Sequence, residues 1–174
     1  MGQGAAEGIS EDDRFELEGV EFVPSWFRPS EPGSLTLLKS KHMVDLYARL
    51  LAPHPEPRMV ELGISQGGSV ALLALLARPR KLVAVELSAD PVVALLDVFR
   101  DRGLADTVKP YFGVDQADQP RLAQIVADEF HGEPLDVVID DASHLYHQTV
   151  ASFEVLFPRL RPGGVYVIED WTWF

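Results

Sequence analysis

The residues of this 174-residue chain best suited to chemistry are Asp140-Asp141-Ala142-Ser143-His144 and Glu169-Asp170. Each group directly follows a short apolar run, Leu135–Ile139 and Val165–Ile168. If those runs are neighbouring strands, four carboxylates and a histidine meet at one edge of a cleft. Uncompensated, so many negative charges repel and raise one another's pKa. A divalent cation relieves the conflict, and an all-oxygen donor set favours magnesium, calcium or manganese over zinc. The plainer reading has Asp140 capping the next helix and Glu169-Asp170 merely solvated, and it leaves the coincidence of two strand ends unexplained. His144 lies three residues past Asp141 and can reach the same cavity. Imidazole is the natural general base near neutral pH. His147, one helical turn further on, is read as structural.

A second constellation precedes it. Arg58–Leu62 runs into Gly63-Ile64-Ser65-Gln66-Gly67-Gly68, where glycines permit a sharp turn and close backbone approach to a ligand before a helix N-terminus. The spacing is not the G-x-G-x-x-G of a dinucleotide site, because Ser65 stands at the middle position. An ordinary tight turn would look the same. Glu86, 25 residues after Glu61, ends the next apolar run, where a carboxylate can accept both hydroxyls of a ribose. Together the two features favour an adenosine-type cofactor. Asp115 and Gln116 follow a third run and could face the adenine ring.

These positions require a scaffold, and the pattern supplies one. Strands are predicted over Arg58–Leu62, Lys81–Glu86, Thr107–Phe112, Leu135–Ile139 and Val165–Ile168. They alternate with helices over Ser69–Ala77, Pro91–Arg102, Pro120–Glu129 and His147–Phe157. Ser88 or Asp90 can cap the second of these helices, and Pro158 with Pro162-Gly163-Gly164 stops the last. Near-continuous apolar strands in strand–helix alternation imply an α/β fold with a doubly wound, Rossmann-like parallel sheet. In such sheets ligands bind at the strands' carboxyl ends, near the switch point. Ahead of this unit, Leu35–Leu51 carries helical spacing through Leu38, His42 and Leu46, and Pro53–Pro57 ends it as a rigid linker. Residues 1–57 are therefore expected to form an acidic N-terminal segment with one helix, a lid or cap on a domain spanning 58–174. Its first ten or so residues are expected to be mobile, whereas Phe22, Val23, Trp26 and Phe27 should pack on the domain or cover a site.

The formal charge of −12 makes nucleic acid or an anionic membrane an unsuitable partner. Half of that charge lies in residues 1–34, where eight acidic side chains face Arg14 and Arg28. Without cysteine there is no disulfide framework, thiolate zinc site or cysteine nucleophile. The longest apolar run, Val70–Ala77, is far short of the ~20 residues of a membrane span. The N-terminus lacks a secretory signature, so a cytoplasmic location is expected.

The segments VELGISQGG, VAVELS and DVVIDDASHLYHQTVASFEVLFPRLRPGGVYVIEDWTWF resemble class I S-adenosylmethionine-dependent methyltransferases over about residues 58–174. The last segment is most similar to the metal-dependent O-methyltransferases that act on macrolide sugars. The resemblance implies a cofactor turn of Glu61, Gly63, Ser65, Gly67 and Gly68, with Glu86 at the ribose hydroxyls and Leu87 and Ser88 also binding the cofactor. It implies Asp115, Gln116 and Asp140 beside the cofactor, Asp141, Glu169 and Asp170 as magnesium ligands, and His144 as base. The acceptor would be a small molecule with vicinal hydroxyls, such as a natural-product sugar; nothing in the sequence decides for or against a homo-oligomer. Two departures stand out. Ser65 replaces the usual second glycine, and the family fold normally adds two strands beyond the fifth, whereas the sequence ends at Phe174. An edge strand there, followed by Trp171, Trp173 and Phe174, calls for a cover. A non-catalytic module that binds the cofactor is the alternative. A nicotinamide dehydrogenase is disfavoured by the glycine spacing and by carboxylates that would repel phosphates.

Overall fold

The computed structural model describes residues 9–171. Most of the opening stretch expected to be mobile, and Trp173 and Phe174, lie outside the described residues. The sheet that carries the site has five parallel strands: β4 (Arg58–Leu62), β5 (Lys81–Glu86), β6 (Val108–Phe112), β7 (Leu135–Asp140) and β8 (Leu160–Ile168). Their spatial order is β6-β5-β4-β7-β8, so the direction of winding reverses between β4 and β7. That is the switch point at which doubly wound sheets open a crevice.

Strand alternation divides the core into two layers. Met59, Leu82, Ala84, Val137 and Ile139 pack on one face against α2 (Gly68–Ala77), α3 (Val93–Asp101) and α1 (Lys41–Leu51). Val60, Leu62, Val83, Val85 and Val138 pack on the other against α4 (Gln119–Phe130) and α5 (Tyr146–Leu156). Side chains two apart share a face, so Glu61 falls on the α1–α2 side with Met59. Helix α2 is apolar all round, as its burial between layers demands.

The N-terminal segment differs most from expectation. It folds as a three-stranded sheet, β1 (Phe15–Leu17), β2 (Val20–Pro24) and β3 (Ser34–Leu37), followed by α1. The long helix expected from Leu35 begins only at Lys41, because the Ser40 hydroxyl accepts from the Met43 amide and caps it there. Leu35, Thr36 and Leu37 alternate as a strand, and all three are buried. In α1 the inward residues are Tyr47 and Leu51, whereas His42 and Leu46 of the anticipated stripe are exposed. Val20, Phe22, Leu35 and Leu37 belong to the same core cluster as Met59 and Leu72. Phe22 and Val23 are buried as anticipated, Trp26 is 61% exposed but lines a cavity at the carboxyl edge of the sheet, and Phe27 is 96% exposed.

Smaller differences follow from capping. Helix α3 starts at Val93, two residues late, without a side-chain cap. The Ser88 hydroxyl is occupied by the amide of Asp90 instead. The Pro162-Gly163-Gly164 stretch lies inside β8, where pairing with β7 shifts register between Leu135/Val137 and Leu160/Val165.

Candidate active site

The carboxyl ends of β4, β5, β7 and β8 and the loop after β6 enclose two adjoining cavities. One, of about 410 Å³, is lined by Gly63, Ser65, Glu86, Leu87, Asp115 and Gln116 among others. The second, of about 200 Å³, is lined by Trp26, Thr36, Lys39, Asp141, His144 and Asp170 among others. Gly63, Ser65, Asp141 and Ala142 border both. A volume of several hundred Å³ at a switch point is the usual scale of a small-ligand site.

The turn after β4 is built for close approach. Gly63 has φ +94°, and a Cβ there would lie 2.2 Å from the Asp141 carbonyl oxygen. A Cβ on Gly68 would meet the Thr36 carbonyl oxygen at the same distance. The turn therefore wedges between β7 and β3, and only hydrogen fits at either position. Ser65, in the middle of the turn, also adopts a left-handed conformation, with φ +48°. The Glu86 carboxylate fixes the turn by accepting the amides of Ile64 and Ser65, each at 2.9 Å, and that of Ser88 at 2.9 Å. Three of about four lone-pair directions are thus used, and the side chain still borders the larger cavity. Ser30, from the N-terminal segment, staples the turn from outside. Its amide donates to the Gln66 side chain and its hydroxyl to the Gln66 carbonyl, at 3.1 and 2.6 Å.

From the wall of the larger cavity inward, Gln116 and Asp140 form a latch. The Gln116 amide donates to Asp140 and Ser152, and its oxygen accepts the Ser143 amide. Asp140 also receives the Ser152 hydroxyl and is 2% exposed. Burial holds its carboxyl above the ordinary range, against these hydrogen bonds. Asp140, expected beside the cofactor, lines neither cavity and instead ties the end of β7 to α5. Asp115 closes its own turn by accepting the Ala117 amide, and it borders the larger cavity.

Asp141, His144 and Asp170 each offer a ligand atom within 4.8 Å of the others. Two donors on opposite sides of one hard cation, at coordination distances of about 2.0–2.6 Å, are separated by that much. His144 and Asp170 both hold left-handed backbones, at φ +56° and +47°. Such conformations cost non-glycine residues about 1–3 kcal/mol and cluster at functional sites. The His144 Nδ1 lies 3.3 Å from the Glu169 carbonyl oxygen and its Nε2 3.8 Å from Asp141 Oδ1.

Glu169, expected to complete the ligand set, is turned inward. The Lys39 ammonium lies 2.6 Å from its Oε1 and 2.8 Å from Asp141 Oδ2, and the Tyr47 hydroxyl donates to the same Oε1. Burial opposes the Lys39 charge, but the two carboxylates outweigh it and hold the lysine above its ordinary pKa. Burial raises the pKa of Glu169 against the pull of Lys39, and burial, reinforced by Glu169, raises that of Tyr47. Part of the charge balance assigned to a metal is therefore supplied by the chain. Glu61 sits deeper, fully buried, and neither of its carboxylate oxygens meets a donor in hydrogen-bond geometry. Burial pushes it up to about 8, against partial relief from Ser69 and Lys39.

Lys39, Tyr47 and Ser30 had no motif to announce them. The one signal for Lys39 was a single cation closing the apolar run Leu35–Leu38. His147 is exposed and packs edge-on against Tyr146, outside both cavities. No helix among the described residues is long and apolar enough to cross a membrane.

Residues 60–171 match a family described as a methyltransferase domain. The chain is 43% identical over 74 residues to 8-demethyl-8-alpha-L-rhamnosyl tetracenomycin-C 2'-O-methyltransferase of Streptomyces olivaceus, covering 34% of this chain and 20% of that protein. It is 33% identical over 164 residues to the same organism's 8-demethyl-8-(2-methoxy-alpha-L-rhamnosyl)-tetracenomycin-C 3'-O-methyltransferase, covering 82% of this chain and 38% of that one. Among solved structures, MycE methyltransferase of the mycinamycin pathway, in complex with Mg, SAH and mycinamycin VI, superposes with a TM-score of 0.59 at 27% identity. That match covers 72% of this chain and 33% of MycE. The chain thus spans between a fifth and two fifths of these two curated relatives.

Proposed function

The chain belongs to the methyltransferase-domain family matched over residues 60–171, and from that premise we propose that it supports S-adenosylmethionine-dependent O-methylation of a sugar-bearing small molecule, assisted by a divalent cation. The observation that carries this reading is the meeting of Asp141, His144 and Asp170 beside the cavity edged by Gly63 and Glu86. Relatives named for methylating sugar hydroxyls support the acceptor class.

The residues fit both groups. Gly63, Glu86, Leu87 and Asp115 edge the space an adenosine would take, and Gly63 lets the turn pack directly on the Asp141 backbone beside it. Bound S-adenosylmethionine would supply an electrophilic methyl on its sulfonium. Asp141 and Asp170 would hold the cation, which supplies Lewis acidity that lowers the pKa of a coordinated hydroxyl. His144 would take the proton of an acceptor hydroxyl placed beside it, and the bound cofactor would supply the methyl group to that oxygen and leave as the neutral thioether. The imidazole is oriented for this by its contacts with the Glu169 carbonyl and Asp141. Trp26, Thr36 and Leu38 wall the smaller cavity, so the N-terminal segment acts as a cap that positions the acceptor and excludes water.

The test is His144→Ala assayed with S-adenosylmethionine, Mg2+ and glycosylated polyketide acceptors. Turnover should fall at least 100-fold, the usual scale of a general base, while calorimetric affinity for S-adenosylhomocysteine stays within about twofold. Loss of that affinity would make His144 structural. Cofactor binding without turnover by the wild-type chain on any polyhydroxylated acceptor would favour a non-catalytic module.

A further inference from the structure

Building on the metal-assisted reading above, we propose that Lys39 is a tethered counter-cation of the site. Its ammonium holds Asp141 and Glu169 when no metal is bound, and a divalent cation gains the full charge of these carboxylates only by displacing it.

Lysine is almost never fully buried unless paired, and the Lys39 side chain is 2% exposed. Its ammonium bridges two residues more than a hundred positions away, Asp141 at 2.8 Å and Glu169 at 2.6 Å. Glu169 Oε1 also takes the Tyr47 hydroxyl, so this carboxylate faces protein donors on the α1 side. Asp141 is divided. One oxygen faces Lys39, and the other faces His144 Nε2 across 3.8 Å. A cation bound between Asp141 and Asp170 would therefore share Asp141 with an ammonium already in contact with it. Like charges so placed compete, and on the buried Lys39–Glu169 side little solvent screens them. The lysine is anchored on both sides: β3 ends two residues before it, and the Ser40 cap of α1 follows directly. Thr36 in that strand packs its carbonyl against the position of Gly68. Cation loading is thereby coupled to the N-terminal segment, which also bounds the acceptor cavity.

The experiment measures Mn2+ affinity of the full chain from loss of the free-ion electron paramagnetic resonance signal. Lys39→Met should bind Mn2+ at least tenfold more tightly than wild type, and the charge-conserving Lys39→Arg should stay within about threefold of it. Equal or weaker binding by Lys39→Met overturns the proposal and makes Lys39 an organiser of ligands. Because Lys39→Met leaves buried carboxylates uncompensated, a second pair removes one charge of each sign. Lys39→Met with Glu169→Gln should bind Mn2+ at least tenfold more tightly than Glu169→Gln alone, and equal or weaker binding again overturns the idea. Absence of Mn2+ binding from every protein sinks this proposal together with the metal half of the functional reading. S-adenosylhomocysteine titration of the same samples reports on the other half independently.

Discussion

Glu61 shows how a single carboxylate can set a pH dependence. It lies fully buried on the α1–α2 face of the sheet, and burial pushes it up to about 8. In the unfolded chain it would titrate near the ordinary glutamate value of about 4.3. Between those values the native protein holds a proton that the unfolded chain has released. Native stability therefore falls as pH rises through the window, by up to about 1.4 kcal/mol per pH unit from this group. Glu169, whose pKa is also raised, adds a slope of the same sign. Glu61→Gln removes the Glu61 part. Relative to wild type, the variant should gain thermal stability progressively from pH 5 to pH 8 and differ little near pH 4.5. Parallel melting curves for the two proteins across that range would show that Glu61 is ionised in the native state. Residue identity alone pointed to Glu61 through its place before the glycine turn, yet no local pattern revealed its complete burial near Lys39.

The elements were legible where a local rule governed them. All five strands of the parallel sheet and the four helices between them are present, with the starts of α3 and β8 displaced, because apolar runs alternating with helical stretches leave few other folds. Leu35–Leu51 was misread because the period-2 alternation of Leu35 and Leu37 is short, and because the Ser40 cap that separates strand from helix lies inside an apparently continuous helical pattern. The order of strands also determines where charge is tolerated away from the site. At the start of β7, Asp136 accepts the Arg58 amide of β4 at 2.8 Å and pairs with Arg161 of β8. Burial works against this carboxylate, but Arg161 and Arg58 overcome it and hold its pKa below the ordinary aspartate value. Because the native group binds its proton less readily than the unfolded one, its contribution is complete above about pH 4. It is lost as pH falls through the depressed native value. Asp136→Asn should cost about 1–2 kcal/mol at pH 7, allowing for the partly exposed Arg161. The difference should shrink below pH 4. A gap that persists unchanged at pH 2.5 would assign the loss to packing rather than charge.

At the scale of the molecule, the sequence suggested a boundary at Pro53–Pro57, with a lid or cap before it. The core argues for a single unit. Val20, Phe22, Leu35 and Leu37 are each no more than 1% exposed and pack with Met59, Leu72 and Leu82. Burying a large apolar side chain contributes about 1.5–3 kcal/mol, so four of them rival the entire ~5–15 kcal/mol margin of a folded domain. Their loss would also uncover the face of α2 that β3 covers, including the contact of Thr36 with Gly68. A chain beginning at Leu38 should therefore lose its cooperative melting transition and bind a hydrophobic dye at room temperature, even though every strand of the parallel sheet remains in it. A truncated chain that melts cooperatively within a few degrees of the full-length protein would instead make the N-terminal segment a detachable lid. In that case Lys39 and Tyr47, at the root of the segment, would still reach Asp141 and Glu169, and Mn2+ affinity would survive truncation. The dependence of both melting and cation binding on residues 9–37 thus decides whether the segment is part of the core or an accessory to the site.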